Sequence, residues 1–336
     1  MTRIEYDDKT FEKIKQNLVN EDNKHSLSDQ YRALFTMKAI GQQGDKRAVD
    51  AVYEAIQKSD SCLLKHELAY ILGQMQLTYA LPFLDSILED GNQDMMVRHE
   101  AAESLGAISD KGSLPILNRY FNDETVDISI RETCEISIKK IEFDHRTSKN
   151  EDNDNEQNQI PVIDPAPATL STDEIANDVE KLREIYLNDS INLFERYRAM
   201  FGLRNIILNT SSSNPNHEKA LRAIADGFKD KSALFRHEVA YVFGQIDSPA
   251  AVPFLLDVLY DNNENEMVRH EAAETLGGLS DQGDGDKVKN ALLEFANSKD
   301  APKVIVDSCI VALDMWEHEA SGNFQYADGI EKAQEA

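Results

Sequence analysis

The chain has 336 residues, 61 acidic side chains, 35 lysines and arginines, and a formal charge of −26 at pH 7. This excess of negative charge opposes the approach of phosphate backbones and anionic lipids, so it excludes nucleic acid and membrane surfaces as expected partners and favours a basic protein or a polyamine-like group. The length and a hydrophobic share of 41% fit a globular protein with two packed domains.

No segment of the sequence indicates secretion or a membrane span. The N-terminal residues MTRIEYDDKTFEK lack an apolar signal-peptide core, and no later stretch reaches the roughly 18 apolar residues needed to cross a bilayer. The three cysteines, Cys62, Cys134 and Cys309, form no CxxC pair, which predicts reduced thiols in a packed interior. We expect a cytoplasmic monomer, with the nucleus as a further location.

The N-terminal part of the chain has the pattern of consecutive helices joined by short polar turns. Apolar residues recur at helical spacing in YRALFTMKAI (31–40), AVDAVYEAIQ (48–57) and ALPFLDSILED (80–90). Pro82 stands early in the third segment, where a helix has unpaired amides in any case. These patterns predict an all-α N-terminal arm over residues 1–145.

Residues 146–173 differ sharply in composition from the segments on either side. They are acidic, rich in asparagine and glutamine, and contain three of the nine prolines. Such a segment buries too little apolar surface to form a core of its own. We therefore predict an acidic flexible linker without a catalytic role.

The C-terminal arm, residues 174–336, repeats the first arm. The matching segments are LLKHELAYILGQM (63–75) with LFRHEVAYVFGQI (234–246), MVRHEAAESLG (96–106) with MVRHEAAETLG (267–277), and QYRALFTMKAI (30–40) with RYRAMFGLRNI (196–206). The first two matches are offset by 171 positions and the third by 166. One ancestral duplication explains this agreement.

Within each arm, the repeated words recur every 33 residues, from His66 to His99 and from His237 to His270. This period is typical of α-solenoids, in which hairpins bury their apolar faces against their neighbours. The only tryptophan is Trp316 and no TPLHxA word occurs, so tetratricopeptide and ankyrin repeats are disfavoured. We predict an all-α solenoid of about eight short HEAT-like helical hairpins in two duplicated arms.

In these four repeated segments a leucine or phenylalanine is followed by a glycine. We predict that these glycines let neighbouring helices approach closely or that they terminate the helices. The four positions are Gly73, Gly106, Gly244 and Gly277.

A histidine followed by a glutamate stands at matching positions in four repeats. Equivalent positions of neighbouring repeats lie about one helix spacing apart, roughly 8–10 Å between axes, so two imidazoles can share one ion. One added carboxylate completes the set that leaves open coordination sites on ferrous iron. The predicted ligands are His66, His99 and Glu100 in the first arm and His237, His270 and Glu271 in the second. If the arms face each other, the two ions form a dinuclear centre.

The carboxylates of Glu67 and Glu238 remain, one in each arm. They could be further ligands or could bind a cationic substrate. We favour substrate binding, because the ligand set is already sufficient and an anionic pair would select an amine. Lesser candidates are Glu103 and Glu274, either as hydrogen-bond partners of the histidine rings or as part of a solvated helix face. Tyr70 and Tyr241 could contact the substrate, but we favour aromatic packing.

The histidines also have an interpretation without metal. A histidine on a repeat helix is more often a core residue than a ligand, and six of the eight histidines precede a glutamate. His217-Glu218 and His318-Glu319 lack the flanking words, so we predict that they lie at the surface. The four matched dipeptides nevertheless stay constant while their neighbours vary, and the repeats at 112–143 and 284–318 lack the dipeptide. This selectivity favours metal binding.

Two further functions remain open on the residues alone. One is a non-enzymatic HEAT-repeat scaffold that binds a basic protein, and the other is a relative of the short-repeat bilin lyases. Phosphate-binding glycine loops and GxSxG words do not occur, so the sequence gives no support to nucleotide-dependent or acyl-transfer chemistry.

The combined words resemble those of the deoxyhypusine hydroxylases, the HEAT-repeat di-iron monooxygenases of eukaryotes. The resemblance rests on the four His-Glu dipeptides with their flanking words, the FDHRTS…DPAP passage at 143–167 and DSCIVALDMWEHE at 307–319. It implies an enzyme that uses two ferrous ions and dioxygen to hydroxylate the deoxyhypusine side chain of eukaryotic translation initiation factor 5A, forming hypusine.

For the site, the resemblance implies iron ligation by the six residues named above as ligands. It assigns Glu67 and Glu238 to the catalytic, substrate-holding positions. All eight residues are intact in this sequence.

Overall fold

The computed structural model describes residues 4–147, 162–168, 175–279 and 285–319. Its contacts divide the chain into two units, with the boundary between Ile141 and Glu142. The described residues contain sixteen α-helices, which confirms the predicted all-α class. The finer division into arms and linker stays a prediction.

The first unit is built from four consecutive helical hairpins. Its helices are α1 (Asp8–Val19), α2 (Leu27–Gln42), α3 (Lys46–Lys58), α4 (Cys62–Gln74), α5 (Leu81–Glu89), α6 (Met95–Ile108), α7 (Leu114–Phe121) and α8 (Ile128–Thr147). The last of these helices continues past the boundary into the second unit. Pro82 occupies the first turn of α5, as predicted.

The second unit repeats this order of four hairpins. Its helices are α9 (Val179–Tyr186), α10 (Leu193–Leu208), α11 (Pro215–Asp226), α12 (Ala233–Ile246), α13 (Val252–Tyr260), α14 (Glu266–Gly278), α15 (Gly285–Ala296) and α16 (Lys303–Glu319). With the first unit, the described part of the chain has the eight hairpins that the repeat period predicted. Among the described residues, no helix combines the length and apolar character that a transmembrane span requires.

In four of the hairpins, an arginine near the start of the second helix forms a hydrogen bond to the first helix. Its Nε donates a hydrogen bond to a carbonyl oxygen ten residues earlier, near the end of the first helix. The pairs are Arg98 with Leu88 at 3.0 Å, Arg131 with Phe121 at 3.3 Å, Arg196 with Tyr186 at 2.9 Å, and Arg269 with Leu259 at 3.1 Å. The guanidinium thus satisfies a carbonyl that the helix end leaves unpaired.

Second helices of neighbouring hairpins touch through small residues. A hydroxyl of one helix donates to a carbonyl of the preceding one: Ser104 to Ala69, Ser137 to Ala102, and Thr275 to Ala240, at 2.7–3.0 Å. The glycine of the preceding helix faces the same contact, and an added Cβ would lie 2.4–3.2 Å from it at Gly73, Gly106 and Gly244. At Gly277 the backbone of Ala312 would lie at 2.7 Å. Close approach is therefore the reason for these glycines.

A short segment within the predicted linker packs on the second unit. Both oxygens of Asp164 accept hydrogen bonds from Arg204, at 2.9 and 2.7 Å, and Gln245 accepts a third from the same guanidinium at 2.6 Å. Ala166, in the same segment, is fully buried. The composition did not indicate this anchored stretch, and the flexibility predicted for residues 148–161 and 169–174 falls outside the described residues.

Candidate metal centre

The four helices that carry the matched histidines begin in the same register. In α4, α6, α12 and α14, the histidine is the fifth residue and the glutamate the sixth. A side chain caps each helix start: Ser61, Asp94, Ser232 and Asn265 accept hydrogen bonds from backbone amides of the first turn. The cap fixes the helix start and so places each His-Glu dipeptide in the second turn.

In the first unit, the predicted ligands His66, His99 and Glu100 lie together. The rings of His66 and His99 have centroids 5.4 Å apart. Nε2 of His66 lies 3.3 Å from Oε2 of Glu100. One ligand atom from each of the three residues can be chosen so that all three lie within 4.8 Å of one another.

This spacing fits one metal ion. Bonds of about 2.0–2.2 Å from a metal to nitrogen or oxygen place two ligands of that ion about 3–4.4 Å apart. All three side chains are buried, and Oε1 of Glu100 has no hydrogen-bond partner among the described residues. A buried carboxylate oxygen of this kind is costly unless a cation or donor satisfies it. The donor set therefore suits a divalent transition metal.

The electrostatics of the first unit also favour positive charge. Burial lowers the pKa of the His66 imidazole, but hydrogen bonds and charges of Glu100 and Glu67 raise it by more, so the pKa lies well above its ordinary value. A proton and a metal ion compete for the same lone pair of the ring. The raised pKa therefore reflects a pocket that attracts a cation at this position.

The second unit repeats this geometry. The ring centroids of His237 and His270 are 5.3 Å apart, and Nε2 of His237 lies 3.4 Å from Oε2 of Glu271. Within this unit, the three residues whose ligand atoms all lie within 4.8 Å of one another are His270, Glu271 and Glu274, so Glu274 stands in this group where the prediction had His237. The two distances of the first unit thus recur in the second, whereas the compact group of three differs.

Glu67 and Glu238 are also buried in the two half-sites. Oε1 of Glu67 lies 3.1 Å from Nδ1 of His66, close enough for a hydrogen bond that orients the ring. In the same unit, Lys38 on α2 lies over the Tyr70 ring, with Nζ 5.5 Å from the centroid. Sequence reasoning did not single out Lys38, although it is matched with Arg204 in the repeated words of 30–40 and 196–206.

The lesser candidates differ in what the structure shows of them. Nδ1 of His270 lies 3.9 Å from Oε1 of Glu274, so this glutamate stands near the ring, at a distance longer than a hydrogen bond. The exposed Glu218 pairs with Arg222 on α11, which agrees with a surface position for that dipeptide. The side chains of His318 and Glu319 lie outside the described residues.

Comparisons with known proteins agree with the repeat fold. The family described as HEAT repeats matches residues 49–138 and 208–313. The fold and the buried histidine–glutamate clusters together define a HEAT-repeat protein with donor groups that are compatible with metal binding.

Curated relatives identify the family more narrowly. A deoxyhypusine hydroxylase of Schizosaccharomyces pombe is 45% identical over 317 residues, 94% of each chain. One from Drosophila melanogaster is 44% identical, covering 91% of this chain and 92% of the relative. The solved structure of human deoxyhypusine hydroxylase in complex with glycerol shares 41% identity and superposes with a TM-score of 0.79, covering 91% of this chain and 96% of that one. The chain belongs to the deoxyhypusine hydroxylases, a family of enzymes.

Proposed function

We propose that this chain hydroxylates the deoxyhypusine side chain of eukaryotic translation initiation factor 5A, using two iron ions and dioxygen. The duplicated half-site is the main support for the proposal. In each unit two imidazole ring centroids lie 5.3–5.4 Å apart, and a glutamate oxygen lies 3.3–3.4 Å from Nε2 of the first histidine. Family membership supports the substrate. The substrate protein would be met in the cytoplasm, with the nucleus as a further location, and the enzyme would act as a monomer.

The residues that would hold iron are the six predicted ligands. His66, His99 and Glu100 would hold one ion, and His237, His270 and Glu271 the other. Ferrous iron held by two histidines and one carboxylate keeps open positions at which dioxygen is activated. Burial of these side chains keeps bulk water away from the reacting groups.

The remaining groups would position the ligands and the substrate. Glu67 orients the His66 ring through its contact with Nδ1, and Glu274 stands beside Nδ1 of His270. Glu67 and Glu238 supply the negative charge that a deoxyhypusine amine requires. The formal charge of −26 attracts a basic protein surface and so favours encounter.

A labelling experiment tests this function. The protein is loaded with iron without oxygen, mixed with the deoxyhypusine-bearing factor, and exposed to isotopically labelled dioxygen. We expect one labelled oxygen atom per deoxyhypusine side chain, located by peptide mass spectrometry. Label derived from water, or no product from folded, iron-loaded protein, would refute the proposal. The variants His99→Ala and His270→Ala should lose product formation, whereas a non-enzymatic scaffold would bind its partner unchanged.

A further inference from the structure

In the first unit, two tyrosines cover a phenylalanine between the first helices of neighbouring hairpins. The ring of Tyr53 on α3 packs on Phe83 of α5 with the centroids 4.6 Å apart, and its hydroxyl lies 3.0 Å from Oγ of Ser86. Tyr79 contacts the same phenylalanine edge-on, with the centroids 5.6 Å apart. Side chains of the unit itself therefore occupy the groove between α3 and α5.

The second unit has alanines where the first has these tyrosines. The stretch AVDAV of α3 (48–52) and the stretch ALRAI of α11 (220–224) share the same pattern of buried residues, which aligns the two helices. The offset of 171 aligns α13 with α5. The rings that cover the phenylalanine of the first unit thus have no aromatic counterpart at the aligned positions. The aligned residues are Tyr53 with Ala225, Tyr79 with Ala250, Phe83 with Phe254, and Ser86 with Asp257.

An open cleft lies at this place in the second unit. It has a volume of about 590 Å³ and lies between α11, the 3₁₀ turn that follows it, and α13. Ala225 and Phe254 line the cleft together with Phe228 and Val258. Phe254 packs on Phe243 of α12, with the centroids 6.1 Å apart, and is only half-buried. The cleft therefore offers an apolar floor with room for an aromatic side chain.

The rim of the cleft carries an excess of negative charge. Six charged side chains line it, and four of them form ion pairs. Asp257 and Asp261 are exposed and have no lysine or arginine partner among the described residues. Two uncompensated carboxylates thus stand beside the apolar floor. The ion pairs are Arg222 with Glu218, Asp226 with Lys229, and Glu264 with Arg236.

We propose that this cleft docks a basic segment of a partner protein, which inserts one aromatic side chain over Phe254 and places a neighbouring lysine or arginine beside Asp257. The inserted ring takes the position that Tyr53 holds over Phe83 in the first unit. The uncompensated carboxylates and the formal charge of −26 select a basic partner. None of the predicted iron ligands lines the cleft, so the inference does not depend on the proposed function.

The first test compares two dye-labelled peptides, KKYKK and KKAKK, whose binding to the whole chain is measured by fluorescence anisotropy at low salt. We expect KKYKK to bind at least about tenfold more tightly, because only this peptide can bury a ring in the cleft. Equal affinities would show that charge alone attracts the peptides and would overturn the inference. Tyramine, a phenol with an ammonium, is the small-molecule control. Binding of tyramine as tight as that of KKYKK would overturn the docking of a protein segment.

The second test closes the cleft with the side chain that the first unit uses. Ala225→Tyr should weaken the binding of KKYKK at least about tenfold and leave that of KKAKK unchanged. Leu293→Tyr is the matched control, because Leu293 is exposed on α15 and lies outside the cleft, and it should change neither affinity. Unchanged binding of KKYKK to folded Ala225→Tyr protein would refute the inference.

The third test removes one uncompensated charge. Asp257→Ser introduces the residue of the first unit and should weaken the binding of KKYKK about two- to fivefold, the effect of losing an exposed ion pair. Asp300→Ser removes the same charge from the exposed turn between α15 and α16 and should have no effect. Equal effects of the two variants would show a general attraction and contradict docking in the cleft.

Two further measurements accompany every variant. Iron content should equal that of the unmodified chain, because the cleft contains none of the predicted ligands. Sedimentation velocity should show a monomer throughout. A concentration-dependent dimer that Ala225→Tyr abolishes would make a second copy of this chain the occupant and would overturn the assigned partner.

Discussion

At the scale of single residues, burial determines how the ionisable groups behave. Two buried glutamates raise the pKa of His66, whereas burial raises the pKa of the Cys134 and Cys309 thiols by more than the charge of a nearby arginine lowers it. Two of the three cysteines are interior residues, as predicted, but Cys62 is only half-buried at the first position of α4.

This difference predicts a graded reactivity of the cysteines. Burial raises the pKa of Cys134 and of Cys309 to about 12, so neither forms an appreciable fraction of the reactive thiolate near neutral pH. We expect a thiol reagent at about pH 8 to modify Cys62 in the folded chain and the other two only after denaturation. Peptide mass spectrometry identifies the modified positions, and rapid modification of Cys134 in folded protein would contradict the assignment.

The same two thiols link stability to pH. Their folded pKa lies above the value of about 8.5 for an unfolded cysteine. The stabilisation from burying them is therefore complete below that pH and is lost as the pH rises towards their folded pKa.

At the scale of elements, small residues set the distance between stacked helices. The glycine at the same position of each repeated segment indicated this close helix–helix contact, because a period of 33 residues brings the same helix face against each neighbour. The sequence did not predict the hydrogen bonds that serine, threonine and arginine side chains donate to backbone carbonyls of other helices. Their acceptors are backbone atoms, which the side-chain pattern does not reveal.

Two neighbouring glycines of α14 test the role of close approach. An added Cβ at Gly277 would lie 2.7 Å from the backbone of Ala312 on α16, whereas nothing lies within 4 Å at Gly278. Gly277→Ala should therefore lower the free energy of unfolding by about 1–3 kcal/mol, the usual effect of overpacking. Gly278→Ala, the matched control, should be neutral or slightly stabilising. Chemical denaturation measures both, and equal effects would refute the explanation.

The anchored stretch at Asp164 gives a second prediction for the elements. Asp164→Ala leaves the buried guanidinium of Arg204 without its charged partner, so we expect a loss of about 3–5 kcal/mol in the stability of the second unit. Glu218→Ala removes the exposed partner of Arg222 and should change stability by less than about 1 kcal/mol. Thermal unfolding of both variants provides the comparison. A stable Asp164→Ala protein would show that the anchor is dispensable.

At the scale of the whole molecule, duplication is the property from which most of the structure follows. The matched sequence segments predicted eight hairpins and the proximity of His66, His99 and Glu100, because repeats in register place equivalent residues side by side. The departures from symmetry were not predictable in the same way. Lys38 and Arg204 align in sequence, yet their different partners depend on a segment outside the repeats.

The iron content of the purified chain tests the central claim most directly, namely that each unit holds one metal ion. After reconstitution without oxygen, we expect about two irons per chain, held by the two histidine–glutamate sets. His66→Ala and His237→Ala should each lose iron while keeping the helical circular dichroism, and His217→Ala, a surface His-Glu control, should keep both ions. Folded, unmodified protein that takes up no iron, or full iron content in the His66→Ala and His237→Ala variants, would contradict the account.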